Sequence, residues 1–158
     1  MVDGAAEGET YPAEIESELK TVEQEMRRRG YRWTSQRLLV VKAAFSTHAH
    51  FTADELLVLC QEEDLSVSRA TVYRMLSMLE DAGFVEGLDT GEGGRRFEHT
   101  LGHDHHDHMV CTKCGRIIEF FDQELERRQT QSAERVGFQI QSHSLKLFGV
   151  CRECQTSP

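Results

Sequence analysis

Two pairs of cysteines constrain the fold of this chain more than any other feature of its sequence. The pairs are Cys111-Thr-Lys-Cys114 and Cys151-Arg-Glu-Cys154. Four thiolates from two such turns form the ligand set of a tetrahedral structural Zn²⁺. The segment between the pairs is long enough for a strand, a helix and a return strand, and one ion would join its two ends. The spacing therefore predicts a small α/β unit closed by zinc.

Redox-active disulfides are the alternative use of paired cysteines. The N-terminus shows no signal-peptide pattern, so we expect a cytoplasmic protein, in which thiols stay reduced and zinc is favoured. The fifth cysteine, Cys60, ends the apolar run Leu56–Leu59, and we expect it in the core rather than at a metal. No run of residues has the length of a membrane span, so no membrane partner is expected.

The charge of the chain is unevenly distributed. With Lys+Arg at 18 and Asp+Glu at 27, the formal net charge is -9, which by itself argues against a nucleic-acid partner. No acidic residue lies between Arg27 and Phe51, however, and the basic residues of that stretch are Arg27, Arg28, Arg29, Arg32, Arg37 and Lys42. A local basic patch can set the field at a contact surface while the rest of the protein is acidic. A solvated helix end is the alternative.

The first part of the chain has the pattern of a winged helix-turn-helix. Residues 1–10 are Gly-rich and acidic, and we expect them to be disordered. Helical periodicity and capping residues predict four helices. The first ends near Arg29, and the second runs from Thr34 to Phe45. The third runs from the capping box Thr52–Glu55 to about Glu62, and the fourth from Arg69 to Asp81. Two extended stretches, Phe84–Leu88 and Arg95–His99, flank a Gly-rich turn and predict a hairpin.

The fourth predicted helix has the composition of a DNA recognition helix. Its outward side carries residue types that contact phosphates and base edges: Ser68, Arg69, Thr71, Tyr73 and Arg74. An α-helix fits the major groove, and the N-terminal residues of such a helix reach the bases. Together with the basic stretch, this predicts double-stranded DNA as partner. A surface helix in an interaction domain is the alternative.

The remainder of the chain predicts a small α/β domain. Short strands are expected at Met109–Cys111, Arg116–Phe120, Phe138–His143 and Leu145–Val150, and Asp122 would cap a helix that runs to about Val136. Because such a core is thin and its sheet edges are exposed, we expect zinc and pairing with a second copy to stabilise it. The predicted fold class is α+β, with a winged-helix domain at 11–98, a hinge with metal ligands at 99–108 and a dimerisation and zinc-binding domain at 109–158.

The hinge is rich in histidine. Five of the eight histidines lie between His99 and His108, immediately before the first cysteine pair. On a strand, His106 and His108 would point to one face, and His105 and Asp107 to the other, so one segment could supply two metal sites. Imidazole with carboxylate suits Fe²⁺, Mn²⁺, Zn²⁺, Co²⁺ or Ni²⁺. A solvated polar linker is the alternative.

Together these motifs resemble the ferric uptake regulator family of bacterial metal-dependent transcriptional regulators. The resemblance covers about Gly30 to Cys154 and rests on Ala70-Thr-Val-Tyr-Arg74, on Phe97-Glu98, on His105 to Phe120 and on His143 to Cys151. It implies a homodimeric, non-enzymatic repressor of metal uptake or homeostasis that binds a palindromic operator, with Fe²⁺ ranked first as the sensed metal. Peroxide-, zinc- and manganese-sensing members are alternatives within the family. A metal storage protein and a zinc enzyme are the alternatives from other classes.

The resemblance also implies the site residues. It assigns structural zinc to Cys111, Cys114, Cys151 and Cys154, a regulatory metal to His50, Glu98, His106, His108 and Glu119, and an additional metal to His105, Asp107, Glu126 and His143. It matches Arg32 to a position that reaches the minor groove, Arg37 to a backbone-contacting position, and Tyr73 and Arg74 to the recognition helix. The chain is one residue longer than the family pattern before His106, so His99 or His103 could replace Glu98.

The placement of the regulatory ligands suggests a clamp. His50 belongs to the predicted DNA-binding half, whereas His106, His108 and Glu119 follow the hinge. An ion that holds all of them would set the angle between the halves and hence the spacing of the two recognition helices in a dimer. Metal strengthens DNA binding only if it binds that arrangement better than the others.

Overall fold

The computed structural model describes residues 12–47, 49–91 and 94–156 of the chain. The predicted disorder of residues 1–10 lies outside the described residues. The chain divides into two compact units: unit 1 runs to Leu88 and includes Arg95–His103, and unit 2 comprises Asp89–Gly94 with the residues from Asp104 onward. The domain boundaries given above, at residues 98 and 108, stay predictions.

Unit 1 contains four helices followed by two paired strands. These are α1 Pro12–Arg28, α2 Ser35–Phe45, α3 Ala53–Glu63, α4 Arg69–Asp81, β1 Val85–Asp89 and β2 Arg95–His99. The predicted caps explain where α2 and α3 start, because Thr34 accepts a hydrogen bond from the backbone of Arg37 and Thr52 forms a capping box with Glu55. Ser68, which was predicted only as a residue facing DNA, caps α4 by accepting a hydrogen bond from the backbone of Thr71. Gly30 and Gly83, after α1 and α4, adopt φ values of 83° and 76° that favour glycine.

One apolar core holds the helices of unit 1 together. Val22 and Met26 of α1 are fully or almost fully buried in it, as are Phe45 of α2 and Leu76 of α4. Cys60 is also fully buried in this core. Because each large buried aliphatic side chain contributes about 1.5–3 kcal/mol, the N-terminal helix is an integral part of the unit rather than an appendage.

Unit 2 is built on a three-stranded sheet of order β4-β3-β5, with β3 Asp107–Cys111, β4 Ile117–Phe120 and β5 Lys146–Gly149. Strand β3 is antiparallel to β4 and parallel to β5. A parallel pair needs a crossover connection, and α5 Gln123–Arg135, capped by Asp122, supplies it. A short helix α6, Arg152–Thr156, ends the unit.

The predicted strand at Phe138–His143 is wrong. None of these residues is in a strand, and Phe138 is 66% exposed. The alternation of Phe138 and Ile140 suggested a half-buried strand, but the described part of unit 2 offers this segment no neighbouring strand to complete its backbone hydrogen bonds. Helix α6 was not predicted. The α+β fold class itself, with a winged helix-turn-helix before a small α/β unit that carries four cysteines, is confirmed.

Candidate metal centres and nucleic-acid interface

The four paired cysteines meet in unit 2. Cys111 ends β3 and Cys114 follows in a turn, while Cys151 and Cys154 lie at the start of α6. The four sulfur atoms lie within 4.8 Å of one another, and the Cys114 and Cys151 sulfurs are 3.8 Å apart. Two sulfurs on one tetrahedral zinc, with Zn–S bonds of about 2.3 Å, would be separated by about the same distance. The spacing of these cysteines thus fits one zinc ion.

The thiols of this centre differ in their pKa values because they are hydrogen-bonded to different partners. Hydrogen bonds from the backbone amides of Cys151 and Cys114 lower the pKa of Cys111 to about 6. Hydrogen bonds with the sulfurs of Cys151 and Cys114 raise the pKa of Cys154 to about 12. Thiolates packed this closely repel one another, so a divalent cation is needed to ionise all four. An ion pair between Arg116 and Glu153, with N···O at 2.5 Å, links the two cysteine turns and was not anticipated from the sequence.

A second cluster in unit 2 contains His105, Asp107, Glu126 and His143, whose ligand atoms also lie within 4.8 Å of one another. His143 Nε2 is 3.1 Å from Glu126 Oε1, and His105 Nε2 is 3.4 Å from Asp107 Oδ1. The His105 and His143 rings meet edge to face at 4.2 Å. His105 and Asp107 come from the start of β3 and the residues before it, Glu126 from α5, and His143 from the segment before β5, so three separate parts of unit 2 meet in this cluster.

Asp107 shows why this cluster fits a metal. Its side chain is 1% exposed, and Oδ1 accepts a hydrogen bond from the backbone of Leu145. Its other oxygen, Oδ2, is buried with no hydrogen-bond partner. An ionised carboxylate oxygen in this position is costly unless a cation neutralises it. Two imidazoles and two carboxylates suit a divalent transition metal at this place.

His50 and Glu98 form a pair in unit 1. His50 Nε2 lies 3.1 Å from Glu98 Oε2, and both side chains are largely buried. The pair is positioned by the backbone, because Phe51 and Phe97 exchange two hydrogen bonds of 2.9 and 2.7 Å in an isolated antiparallel bridge. Arg96 also donates to the His50 carbonyl at 3.2 Å, a contact that the sequence did not suggest.

Neighbouring residues of β2 face opposite ways, as the strand geometry requires. Glu98 is directed to His50, whereas the ring of His99 stacks on Phe45 at 4.9 Å. His103 lies beside His99, with their Nε2 atoms 3.2 Å apart. Within unit 1, therefore, Glu98 accompanies His50, and His99 and His103 form a separate group.

His106, His108 and Glu119 are grouped in unit 2. His108 on β3 is the register partner of Glu119 on β4. The rings of His106 and His108 meet edge to face at 4.9 Å, and His106 Nε2 is 4.0 Å from Glu119 Oε2. His108 is 1% exposed. The side chains of His106 and His108 therefore lie together, apart from those of His105 and Asp107.

The outward side of α4 is the candidate nucleic-acid interface of unit 1. Tyr73 is 49% exposed, and Arg69 and Arg74 are exposed on the same helix. Neither α2 nor α4 has an acidic residue in its first turn, so both helix N-termini remain attractive to phosphate. Arg69 differs from Arg74 because its guanidinium pairs with Asp54 of α3 at 3.1 Å.

A basic cavity of about 230 Å³ lies where α2 starts beside α4. It is lined by Arg32, Thr34, Gln36, Arg37, Thr71, Arg74 and Met75. The Arg37 guanidinium donates to the Arg32 carbonyl at 2.6 Å and lies over the Tyr31 ring at 5.9 Å. The Arg37 side chain thus holds the segment before α2 in place and also lines the cavity. Three arginines around one cavity make a suitable place for a backbone phosphate.

The basic run at the end of α1 contributes less positive charge than its sequence suggests. Arg27 pairs with Glu23 at 2.8 Å, and Arg28 and Arg29 pair with Glu25 at 2.7 and 2.6 Å. The hydrogen bonds from Arg28, then Arg29, lower the pKa of Glu25 to about 2. Spacing of three and four residues on a helix could have shown these pairs in the sequence. The basic patch therefore centres on Arg32, Arg37 and Arg74.

These features define a class: a winged-helix DNA-binding unit followed by a unit that carries a four-cysteine centre and clustered histidine and carboxylate ligands. No helix among the described residues is both long and apolar enough to cross a bilayer.

Similarity to known proteins identifies the family. Residues 28–148 match the model of the Ferric uptake regulator family. The chain is 38% identical over 131 residues to the ferric uptake regulation protein of Campylobacter jejuni, covering 82% of this chain and 83% of that protein. A structure of the Helicobacter pylori ferric uptake regulator, described as having three functional metal binding sites, aligns with a TM-score of 0.78 at 35% identity, covering 90% of this chain and 95% of that one. The Pseudomonas aeruginosa regulator, solved with manganese, aligns with a TM-score of 0.71 at 32% identity, covering 82% and 97%.

The chain belongs to the ferric uptake regulator family. It is therefore a metal-dependent DNA-binding transcriptional regulator and not an enzyme. The family resemblance inferred from the sequence motifs is confirmed.

Proposed function

We propose that the chain is an Fe²⁺-dependent repressor in which one ion takes ligands from both units: His50 and Glu98 of unit 1, and His106, His108 and Glu119 of unit 2. The observation that carries the proposal is the His50–Glu98 pair, held at 3.1 Å by a backbone bridge. Two ligands are too few for tight binding of Fe²⁺, and unit 2 presents the complementary group on adjacent strands.

The ligand residues would work by restricting the units. Glu98 and Glu119 would hold the ion through carboxylate oxygens and His50, His106 and His108 through imidazole nitrogens, and the ion would neutralise the two carboxylates. His50 lies two residues before the N-cap of α3, and Glu98 is on the wing strand β2, so both are rigidly connected to α4 through the core of unit 1. Fixing His50 and Glu98 relative to His106 and His108 would fix the position of the recognition helix α4 relative to unit 2. A coupling of about 1–3 kcal/mol, or roughly 5–150-fold in DNA affinity, is the usual size of such an effect.

We infer a homodimer from an exposed apolar row on unit 2. Met109, Ile118 and Leu147 are register partners across the three strands, and they are 40%, 46% and 44% exposed. Helix α5 contributes no buried residue to cover them. A second copy of the chain would bury this surface. The resulting dimer would present two recognition helices, one for each half-site of a palindromic operator. We propose that the dimer acts in the cytoplasm, where its thiols stay reduced.

The ligand set supports iron without excluding related metals. Histidine with carboxylate suits Fe²⁺, Mn²⁺ and Zn²⁺, and affinity alone does not discriminate among them because cellular availability contributes. The relatives in Campylobacter jejuni and Helicobacter pylori are ferric uptake regulation proteins, which favours ferric uptake control, so Fe²⁺ is ranked first for this chain.

The test is a gel shift on the promoter region of the protein's own gene, under anaerobic conditions, with Fe²⁺ or Mn²⁺ and with chelator. Wild-type protein should bind in the presence of metal and dissociate on chelation. The double variant His106→Ala, His108→Ala should lose the metal response and keep its zinc, whereas the control Glu63→Gln, at the exposed end of α3, should keep both. An unchanged metal response in the double variant would refute the clamp.

A further inference from the structure

A cluster of three potential metal ligands in unit 1 is left unused by the function proposed above. Its members are Glu18 of α1, His99 of β2 and His103 in the turn that follows. His99 is at the centre: its Nε2 lies 3.2 Å from His103 Nε2 and 3.9 Å from Glu18 Oε2. The His99 and Glu18 side chains are 2% and 13% exposed, so the group is shielded from solvent on two sides.

We propose that Glu18, His99 and His103 form a further divalent transition-metal site, contained wholly within unit 1. Two imidazole nitrogens bound to one ion at about 2.1 Å lie about 3.0–3.4 Å apart, depending on the coordination angle. The 3.2 Å between the two rings falls in this interval. Two histidines and a glutamate are an established ligand set for Zn²⁺, and they suit Fe²⁺ or Co²⁺ equally.

The backbone holds the ligands in place. Thr100 anchors the turn to the end of α4, because its amide donates to the Phe84 carbonyl and its hydroxyl donates to the Gly83 carbonyl, both at 3.0 Å. The His103 amide then donates to the Thr100 carbonyl. Stacking on Phe45 holds the His99 ring flat against α2. The two nitrogens are therefore held beside each other by the backbone of the turn and by the stacking of His99 on Phe45.

The third ligand is supplied by tight packing of α1 on the turn. A Cβ atom at Gly102 would collide with the Glu18 carboxylate, and Gly102 has a φ of 80° that side chains rarely adopt. Glycine is thus required where Glu18 reaches the turn. The Glu18 carboxylate, 3.9 Å from His99 Nε2, would have to move toward both imidazoles to share one ion with them.

This site is separate from the regulatory ligands. Glu98 and His99 are neighbours on β2 and face opposite sides, the first toward His50 and the second toward Phe45. One ion cannot bind both side chains in that arrangement. Three protein ligands also leave a coordination position for water, so we expect an exchangeable ion rather than a permanent structural one.

The ion would attach α1 to the segment that leads into His105 and His106. The family match begins at residue 28, so Glu18 lies in the part of the chain that precedes it. Apolar packing through Val22 and Met26 already holds the second half of α1. Metal at Glu18 would add a restraint nearer its N-terminus and would reduce the freedom of residues 100–103.

The test is Co²⁺ and Zn²⁺ binding to the full-length protein by equilibrium dialysis with elemental analysis, in a background of His106→Ala with His143→Ala that keeps its cysteine-bound zinc. His103→Phe retains a ring beside His99 and removes the nitrogen, and Glu18→Gln removes the charge. Each variant should bind about one equivalent of Co²⁺ per chain fewer than the parent, or should bind that equivalent with an affinity at least about tenfold lower. Glu16→Gln, an exposed carboxylate of the same helix, is the matched control.

Hydrogen exchange gives a second readout. Zn²⁺ should slow amide exchange in the first half of α1 and in residues 100–103 of the parent, but not of His103→Phe. Thermal unfolding of the metal-free variants should match the parent, which excludes a simple folding defect. If His103→Phe and Glu18→Gln retain the parent's Co²⁺ stoichiometry and affinity, the His99–His103 contact is only a hydrogen bond and the proposal is wrong.

Discussion

His50 Nε2 lies 3.1 Å from Glu98 Oε2 in unit 1, although the two residues are far apart in the sequence. The bridge between Phe51 and Phe97 sets this distance, since each of these residues adjoins a member of the pair. Under the proposed function, two of the five regulatory ligands are thereby held together by the backbone of the DNA-binding unit before any ion binds. That arrangement reduces the entropy lost when the metal binds.

Glu98→Gln should uncouple metal from DNA. The amide keeps the size and one hydrogen-bonding oxygen of Glu98 but removes its negative charge, so the pair with His50 becomes a poorer ligand set for Fe²⁺ or Mn²⁺. We expect the stimulation of operator binding by metal to fall from about 5–150-fold to near none. Fluorescence anisotropy of a labelled operator, titrated with and without Mn²⁺, measures the effect.

The control for this change is Glu63→Gln, at the exposed end of α3. It should leave the metal response intact. A wild-type response in Glu98→Gln would remove Glu98 from the regulatory site.

Asp107→Asn should change stability in opposite directions with and without metal. Asp107 is buried, and its Oδ2 has no hydrogen-bond partner. Without metal, replacing this charge by an amide should be neutral or stabilising by about 1 kcal/mol, because a buried uncompensated charge is lost. With Zn²⁺ or Mn²⁺ in excess, the wild type should gain stability and the variant should not.

Thermal unfolding with added metal and with a weak chelator that leaves the cysteine-bound zinc distinguishes the two directions. Glu134→Gln, in the exposed last turn of α5, is the control. A variant that is equally stabilised by metal would show that Asp107 is not a ligand.

The five cysteines should separate into two classes by reactivity. Cys60 is fully buried, and that burial raises its pKa to about 11, so it stays a protonated, unreactive thiol near neutral pH. The other four are protected only while zinc is bound. We expect no rapid alkylation at pH 7.5 in the zinc form. After zinc removal, alkylation should begin at Cys111, whose pKa is lowered to about 6, and should reach Cys114, Cys151 and Cys154 as the hydrogen bonds among the four sulfurs are lost.

Mass spectrometry after a short iodoacetamide pulse counts the modified residues. Burial raises the pKa of Cys60 from 9.0 in an exposed thiol to about 11, so the folded state holds this proton more tightly than the unfolded state. The resulting contribution to stability is fully present at neutral pH and is lost as the pH rises from 9.0 to about 11. Rapid labelling of Cys60 in the zinc form would contradict its place in the core.

Local chemistry predicted most of unit 1 from the sequence. Thr34 and Thr52 marked helix starts because capping depends on residues three positions apart. The same local rules failed at Phe138–His143, since a strand exists only where a partner completes its hydrogen bonds, and partners are distant in sequence. The alternation from His105 to His108 predicted two ligand groups, but the meeting of Glu18 with His99 required the packing of α1.

The last prediction concerns which arginines contact DNA. Arg74 is exposed beside the basic cavity at α2, whereas Arg27 is engaged by Glu23 at 2.8 Å. Arg74→Ala should therefore weaken operator binding by about 1–3 kcal/mol and lower the salt slope by about 1, because a phosphate or base contact is lost. Arg27→Ala, which removes the same charge elsewhere on unit 1, should change affinity by less than about twofold. Equal losses in the two variants, measured by anisotropy from 50 to 200 mM salt, would show that net charge rather than this surface determines binding.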